Sequence, residues 1–316
     1  YNICLGTESG YSLQSSSGSI AIGRRAGKAS TVSITAVGYE AAAANTTGTN
    51  NTAFGYEALN SNTTASKNTA IGNSALTTVT TGNSNTAIGY DSLKSVTTGA
   101  NNIGIGLEAN ETCDTGSSNI GIGASSLLDL SSGSSNIGIG PDGGRGITTG
   151  DNNICIGKDA GRSGSPSGQI TTASNTVCIG DNNIANAHIK VAFSTGSDKR
   201  DKTDITDFNF GLDWVNKMRP VTYRWDNRDW YDNGTPDGSK KAPQLELGLI
   251  AQEELEIEKE FGFGQTKEDM LISSINSNGS YTMKYDRIVP VLINAIKELS
   301  AKNTALETRI AALETA

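Results

Sequence analysis

The chain has 316 residues, 35% of them hydrophobic and 6% aromatic, with 37 glycines, 25 Lys and Arg against 33 Asp and Glu, and a formal net charge of −8. Glycine above its usual share of about 7% and few large apolar side chains disfavour a conventional enzyme core. The acidic balance argues against nucleic acid as a partner, and no run of about 18 apolar residues marks a membrane insertion.

The opening at Tyr1, without methionine or a signal-like stretch, is expected of a piece of a longer protein. Residues 1–182 repeat. Triplets of a small residue, an apolar residue and glycine end at Gly6, Gly23, Gly38, Gly55, Gly72, Gly89, Gly106, Gly123, Gly140, Gly157 and Gly180. The intervals are 17 residues, apart from one of 15 and a last one of 23. A period this regular means stacked coils. Before each glycine, bulky and small residues alternate, so every repeat carries a short strand that must lie beside its equivalent in the next coil. Four positions before the glycine stands an asparagine, at Asn2, Asn51, Asn68, Asn85, Asn102, Asn119, Asn136 and Asn153, a ladder able to satisfy stacked backbone groups. Thr-Thr-Gly at 80–82, 97–99 and 148–150 marks the intervening turns. The expected fold is a parallel β-solenoid or β-roll shaft.

The unit "NTAIGYDSL", residues 85–93, resembles the head repeats of YadA-like trimeric adhesins, also met in viral tail fibres. The resemblance implies a homotrimeric, surface-exposed binding shaft, mainly β and elongated.

Other motifs in the shaft read as structure. "GIGPDG", 138–143, fits a dinucleotide loop, but its triplet recurs in neighbouring repeats and no helical pattern follows. Cys4, Cys155 and Cys178 occupy the small-residue phase and Cys113 lies off it; without a Cys-x-x-Cys pair they read as structural thiols, with no metal and no cofactor expected. His188, the single histidine, lies in "AHIKVAF", which alternates like a strand, so any nucleophile here would use a different base. Asp142 and Asp151 would suit a glycan depolymerase only if the fold sets them at the right separation.

Residues 183–196 read as a connecting strand. After 196 glycine thins, charge grows denser, and Trp214, Trp225 and Trp230 supply core material. "LDWVNKMRPVTYRW" reads as a short helix, a break at Pro220 and a strand; "LELGLIAQEELEIEKEF" as a strand becoming an acidic helix. "SINSNGSYTMKYDRI" reads as a hairpin turning at Asn278-Gly279, and the chain from Asp286 onward as helix. This is an α+β domain, 197–286, ending in a trimerisation helix, 287–316. Leu292, Ile296, Leu299, Asn303, Leu306, Ile310 and Leu313 step by four and three, a coiled-coil seam whose composition alone leans to two strands. An amphipathic helix packed on its own domain is the alternative.

"SDKRDKTDI" (197–205), "MRPVTYRW" (218–225), "LGLIAQEELE" (247–256) and "YDRIVPVLINAIKEL" (285–299) resemble, in order, the motifs of the peptidase S74 family, the C-terminal intramolecular chaperone of phage tailspikes and tail fibres. That resemblance implies a domain that trimerises, brings its β-rich stalk into register and then cleaves itself off as a single-turnover serine peptidase. Matched residue by residue, Ser197 is the nucleophile, Lys202 the general base and Gly196-Ser197 the scissile bond, with Asp198 and Arg200 supporting the turn. A Ser-Lys pair needs no histidine, but its lysine must lose a proton, so the assembled trimer would have to desolvate it. Asp201 departs from the apolar residue usual between the arginine and the lysine. The implied partners are further copies of the chain, other virion tail proteins and a host surface receptor of glycan type, with assembly in the host cytoplasm. A non-cleaving trimerisation domain on a fibre and a bacterial trimeric adhesin on a cell surface are the alternatives.

Overall fold

A computed structural model describes the chain apart from residues 14–15, 185–186, 191–194, 277–278 and 316. It divides into two compact units, Tyr1–Ala185 and Asn186–Ala316.

The first unit is a solenoid with one three-residue strand per coil: β1 (Ile3–Leu5), β2 (Ile20–Ile22), β3 (Thr35–Val37), β4 (Thr52–Phe54), β5 (Thr69–Ile71), β6 (Thr86–Ile88), β7 (Ile103–Ile105), β8 (Ile120–Ile122), β9 (Ile137–Ile139), β10 (Ile154–Ile156) and β11 (Val177–Ile179). They form a single parallel sheet in chain order, each residue pairing with its counterpart one repeat away, as Ile103 with Ile120 and Gly104 with Gly121.

The middle residue of each strand points into the coil. Ala53, Ala70 and Ala87 are buried there, facing Leu59, Leu76 and Leu93 from the opposite corner. The leucine reaches so far across that a Cβ on Gly104 would stand 2.9 Å from Leu93 Cγ. The inner strand residue must therefore be small. Where the corner residue shrinks to glycine the strand residue grows: a Cβ on Gly161 would fall 2.6 Å from Cys155 Sγ. Cys155 and Cys178 thus fill volume inside the coil, while Cys4, in the first strand, is exposed. Cys113 fills the column held by Val79, Val96 and Leu130 in other coils, and burial pushes its thiol up to about 12.

The asparagine ladder forms as the sequence implies. Asn102 N–H donates to Asn85 Oδ1 at 2.9 Å, Asn119 N–H to Asn102 Oδ1 at 2.9 Å, and Asn102 Nδ2 to the Gly116 carbonyl at 2.8 Å. Each strand ends at a glycine with positive φ, such as Gly89 at +138°, where the carbonyl of the next coil leaves no room for a side chain. The corners also hold leucine in the left-handed region, Leu93 at φ +50° among them, in spite of the cost of that conformation to a residue with a Cβ.

The second unit holds α1 (Leu212–Lys217), β12 (Val221–Tyr223), β13 (Glu246–Gly248), α2 (Ala251–Glu260), β14 (Ser273–Ile275), β15 (Tyr281–Met283) and α3 (Ile288–Glu314). β12 pairs antiparallel with β13, and β14 with β15. The hairpin expected at Asn278-Gly279 therefore forms, but its turn at Asn278 lies outside the described residues. The core gathers round Trp214, which is fully buried, stacks on Phe261 at 4.8 Å and packs with Ile257, Ile272 and Val291. α3 gives this core one face, through Val291, Ala295 and the Asn294 side chain, which donates to the carbonyls of Phe208 and Phe210. The heptad residues Leu292, Ile296, Leu299, Leu306, Ile310 and Leu313 lie on exposed positions, so the seam is not spent on the chain's own domain.

Candidate functional site

The candidate centre is built by six consecutive residues. Asp198 caps a single 3₁₀ turn, Lys199–Asp201: its Oδ1 accepts the Arg200 N–H at 2.9 Å, and its carboxylate also receives the Arg200 guanidinium, with Nη2 at 2.6 Å. That guanidinium holds the Asp198 carboxyl below its usual range. The closed turn returns the chain on itself, and Lys202 Nζ donates to Ser197 Oγ at 2.6 Å. Asp198 is thus the structural cap, whereas Ser197 meets the lysine.

Every residue from 195 to 202 is exposed. A side chain at Gly196 would meet nothing within 4 Å among the described residues, so their packing does not demand glycine there. No ion pair joins Asp201 to Lys202 among the described residues; Asp201 N–H instead closes the turn on the Asp198 carbonyl at 3.2 Å. Hydroxyl, amine and an unobstructed preceding carbonyl suit acyl transfer, provided the amine is stripped of water and proton.

The other candidates lie elsewhere. Asp142 is held by Arg145 Nη1 at 2.8 Å, and Asp151 Oδ1 accepts the Ser134 N–H at 2.7 Å, so each carboxylate serves its own corner of the solenoid. In "GIGPDG", Gly138 lies inside β9 and Gly140 forms the strand-end corner. His188 is exposed in irregular chain rather than on the strand its alternation implied, because the parallel sheet ends at β11; much of the expected connecting strand lies outside the described residues. No group of three or more His, Cys, Asp and Glu gathers as metal ligands among the described residues, and none of their helices is long and apolar enough to cross a membrane.

Sequence reasoning missed a buried polar group in the second unit. Glu258, fully buried, accepts the N–H groups of Leu271, Ile272 and Ser273 at 2.7, 3.0 and 2.6 Å, tying α2 to the strand that follows. Beside it, Glu254 accepts the Trp214 indole N–H at 2.8 Å, and burial raises its carboxyl above the usual range. The available signal was the spacing: Glu254 and Glu258 sit with Ile257 on the apolar face of a helix that otherwise reads as acidic.

No curated protein and no solved structure matches this chain. The family model Peptidase_S74, described as chaperone of endosialidase, matches residues 197–263, beginning on the serine that meets Lys202. Residues 197–263, which follow the solenoid in the chain, are thus similar to the chaperone-of-endosialidase family.

Proposed function

We propose that the chain is part of a virion tail fibre or tailspike whose solenoid attaches to a host surface, and whose C-terminal domain trimerises the fibre and then cuts itself off between Gly196 and Ser197. The observation that carries the peptidase reading is the 2.6 Å contact from Lys202 Nζ to Ser197 Oγ, at the first residue of the matched segment. Lys202, once neutral, takes the Ser197 hydroxyl proton as Oγ attacks the Gly196 carbonyl carbon. The Gly196–Ser197 C–N bond breaks, and the Ser197 nitrogen takes the proton back from Lys202. The resulting ester between Gly196 and Ser197 Oγ is hydrolysed by water, freeing the Gly196 carboxylate and restoring the serine hydroxyl.

Self-association is supported by two unpartnered apolar rows. One runs along the outer face of the solenoid sheet through Phe54, Ile71, Ile88, Ile122, Ile139 and Ile156; the other is the exposed seam of α3. It would also supply what the single chain lacks, a dry environment for Lys202, so that cleavage follows assembly.

Intact-mass analysis of the purified chain beside Ser197→Ala and Lys202→Ala tests the reading. Two fragments split before Ser197 in the unaltered chain, with both variants whole, are expected. A second reading, a retained clamp, is favoured by Asp201 beside the lysine, and it is the one left if the unaltered chain sediments as a trimer and stays uncut.

A further inference from the structure

One surface column of the solenoid is unlike the others. The position that follows each strand-end glycine is occupied in successive coils by Arg24, Tyr39, Tyr56, Asn73, Tyr90 and Leu107. Backbone bonds stack these positions: Glu57 N–H donates to the Tyr39 carbonyl, Ser74 N–H to that of Tyr56, Asp91 N–H to that of Asn73, and Glu108 N–H to that of Tyr90. The upper part of the column is closed. Arg24 Nη1 donates to the Tyr39 hydroxyl at 3.2 Å with its guanidinium over the ring, and Tyr39 stacks on Tyr56 at 5.0 Å with the planes 8° apart. Below Tyr56 the stack stops, since the next coil offers the short side chain of Asn73, and Tyr90 follows one coil further. Tyr56 and Tyr90 are 48% and 52% exposed.

Two strand spacings put the Tyr56 and Tyr90 positions about 9.5 Å apart. A ring lying between two aromatic faces needs about 3.5–4 Å from each, so the gap admits one ring with slack that exposed tyrosines can close by turning. Its rim is polar. Asn73 Oδ1 accepts the Ser74 hydroxyl at 2.8 Å, leaving its amide N–H groups without a partner among the described residues. Glu57 enters no ion pair among the described residues, and its carboxylate holds the pKa of the neighbouring Tyr56 hydroxyl above its usual value. Aromatic faces for C–H groups, with a carboxylate and an amide for hydroxyls, suit a sugar ring. In the adjoining column Glu40 is paired with Arg25 and Asp91 with Lys94, while Glu57 and Glu108 enter no ion pair among the described residues, and these two carboxylates disfavour an acidic sugar.

We infer that the gap between Tyr56 and Tyr90, floored by Asn73, is a binding site for a neutral pyranose ring of a glycan, one site per chain. The inference refines the attachment reading and rests on it for its biological role, but the two fail separately.

The test applies the full chain to an array of neutral oligosaccharides of glucose, galactose, mannose and N-acetylhexosamines beside sialylated and uronic-acid glycans, and in parallel to a panel of bacterial cells. Tyr56→Ala and Tyr90→Ala are expected to weaken binding of a neutral glycan about three- to tenfold each. Asn73→Tyr, which continues the ring stack and fills the gap without removing any core group, is expected to abolish binding at unchanged melting temperature. The proposal is overturned if no neutral glycan is retained, if acidic glycans bind better, or if Asn73→Tyr binds as the unaltered chain does. In those cases continued adsorption to cells leaves the attachment reading standing, and loss of adsorption by the unaltered chain removes it as well.

Discussion

Replacing Asn102 by alanine removes one rung of the internal ladder. Asn102 is fully buried, and its side chain serves two buried backbone groups: Oδ1 accepts the Asn119 N–H at 2.9 Å, and Nδ2 donates to the Gly116 carbonyl at 2.8 Å. After truncation, among the described residues, the Asn119 N–H has no other partner and the Gly116 carbonyl keeps only the Cys113 thiol at 3.6 Å. Each buried group left unpaired costs about 1–3 kcal/mol, so Asn102→Ala should destabilise by about 2–6 kcal/mol. Thr98→Ala, at an exposed turn position nearby, should stay within about 0.5 kcal/mol. Because each coil touches only its neighbours, the loss should be local, seen first as faster hydrogen exchange at Asn119 and then as a lower urea midpoint. Asn102→Asp gives the sign. It keeps the acceptor but turns a carboxylate oxygen on the Gly116 carbonyl, so the folded state favours the protonated acid, and stability lost at neutral pH should return as pH falls through the raised folded pKa, in full by about pH 4. A cost under about 1 kcal/mol for the alanine variant, or an aspartate variant indifferent to acid, would refute the ladder as a stabilising element.

Two further outcomes follow from backbone and burial. Gly89→Ala would place a Cβ 2.3 Å from the Gly106 carbonyl oxygen at a φ of +138°, which should cost about 3 kcal/mol or more, whereas Gly164→Ala, with open space around it, should be neutral; paired thermal melts compare them. Glu254→Gln keeps an acceptor for the Trp214 indole and removes an acid whose folded pKa burial has raised. The native state then holds its proton where the unfolded chain has released it, so wild-type stability falls as pH rises from the unfolded carboxyl value through the folded one. The glutamine variant should gain over wild type at neutral pH and lose that gain in acid; equal stabilities across the range would contradict the buried-charge cost.

The repeat, the strand in each coil and the asparagine ladder were legible because a 17-residue spacing repeats the same chemistry until chance is excluded. The second unit was legible as a run of elements, down to the break at Pro220 and the apolar seam of α3. The corners were not. Leu59, Leu76, Leu93 and Leu127 take positive φ, which for an isolated residue points to glycine or asparagine; here the interior packing of each leucine overrides the local preference. Which strand face turns inward was hidden for a related reason. A lone strand buries its bulky side, but this coil is so narrow that only Ala or Gly fits opposite the corner leucine, with Cys155 standing opposite a corner glycine, and the isoleucines go outside. At the centre, the residue types of Ser197 and Lys202 were readable through the resemblance, while the capped turn that joins them is an outcome of the fold.

The same regularity that made the shaft legible removes its internal marks. From β7 to β9 the strands read Ile-Gly-Ile in each coil and pair like with like, so two chains displaced by one coil would meet nearly the same surface as two in register. Two coils differ in length, the 15-residue one between Gly23 and Gly38 and the 23-residue one between Gly157 and Gly180. They lie towards the two ends, and the stretch between them carries no mark of length. Under the proposed reading, register therefore has to be imposed from outside the uniform stretch, and the enlarged coil comes last before the chaperone domain. Chains aligned by α3 would meet first at that distinctive coil and extend coil by coil towards Tyr1. Once the uniform coils have closed in order, removing the aligning domain leaves a register that can be kept but no longer re-established, which is why a cut placed at Gly196–Ser197 would lock the fibre.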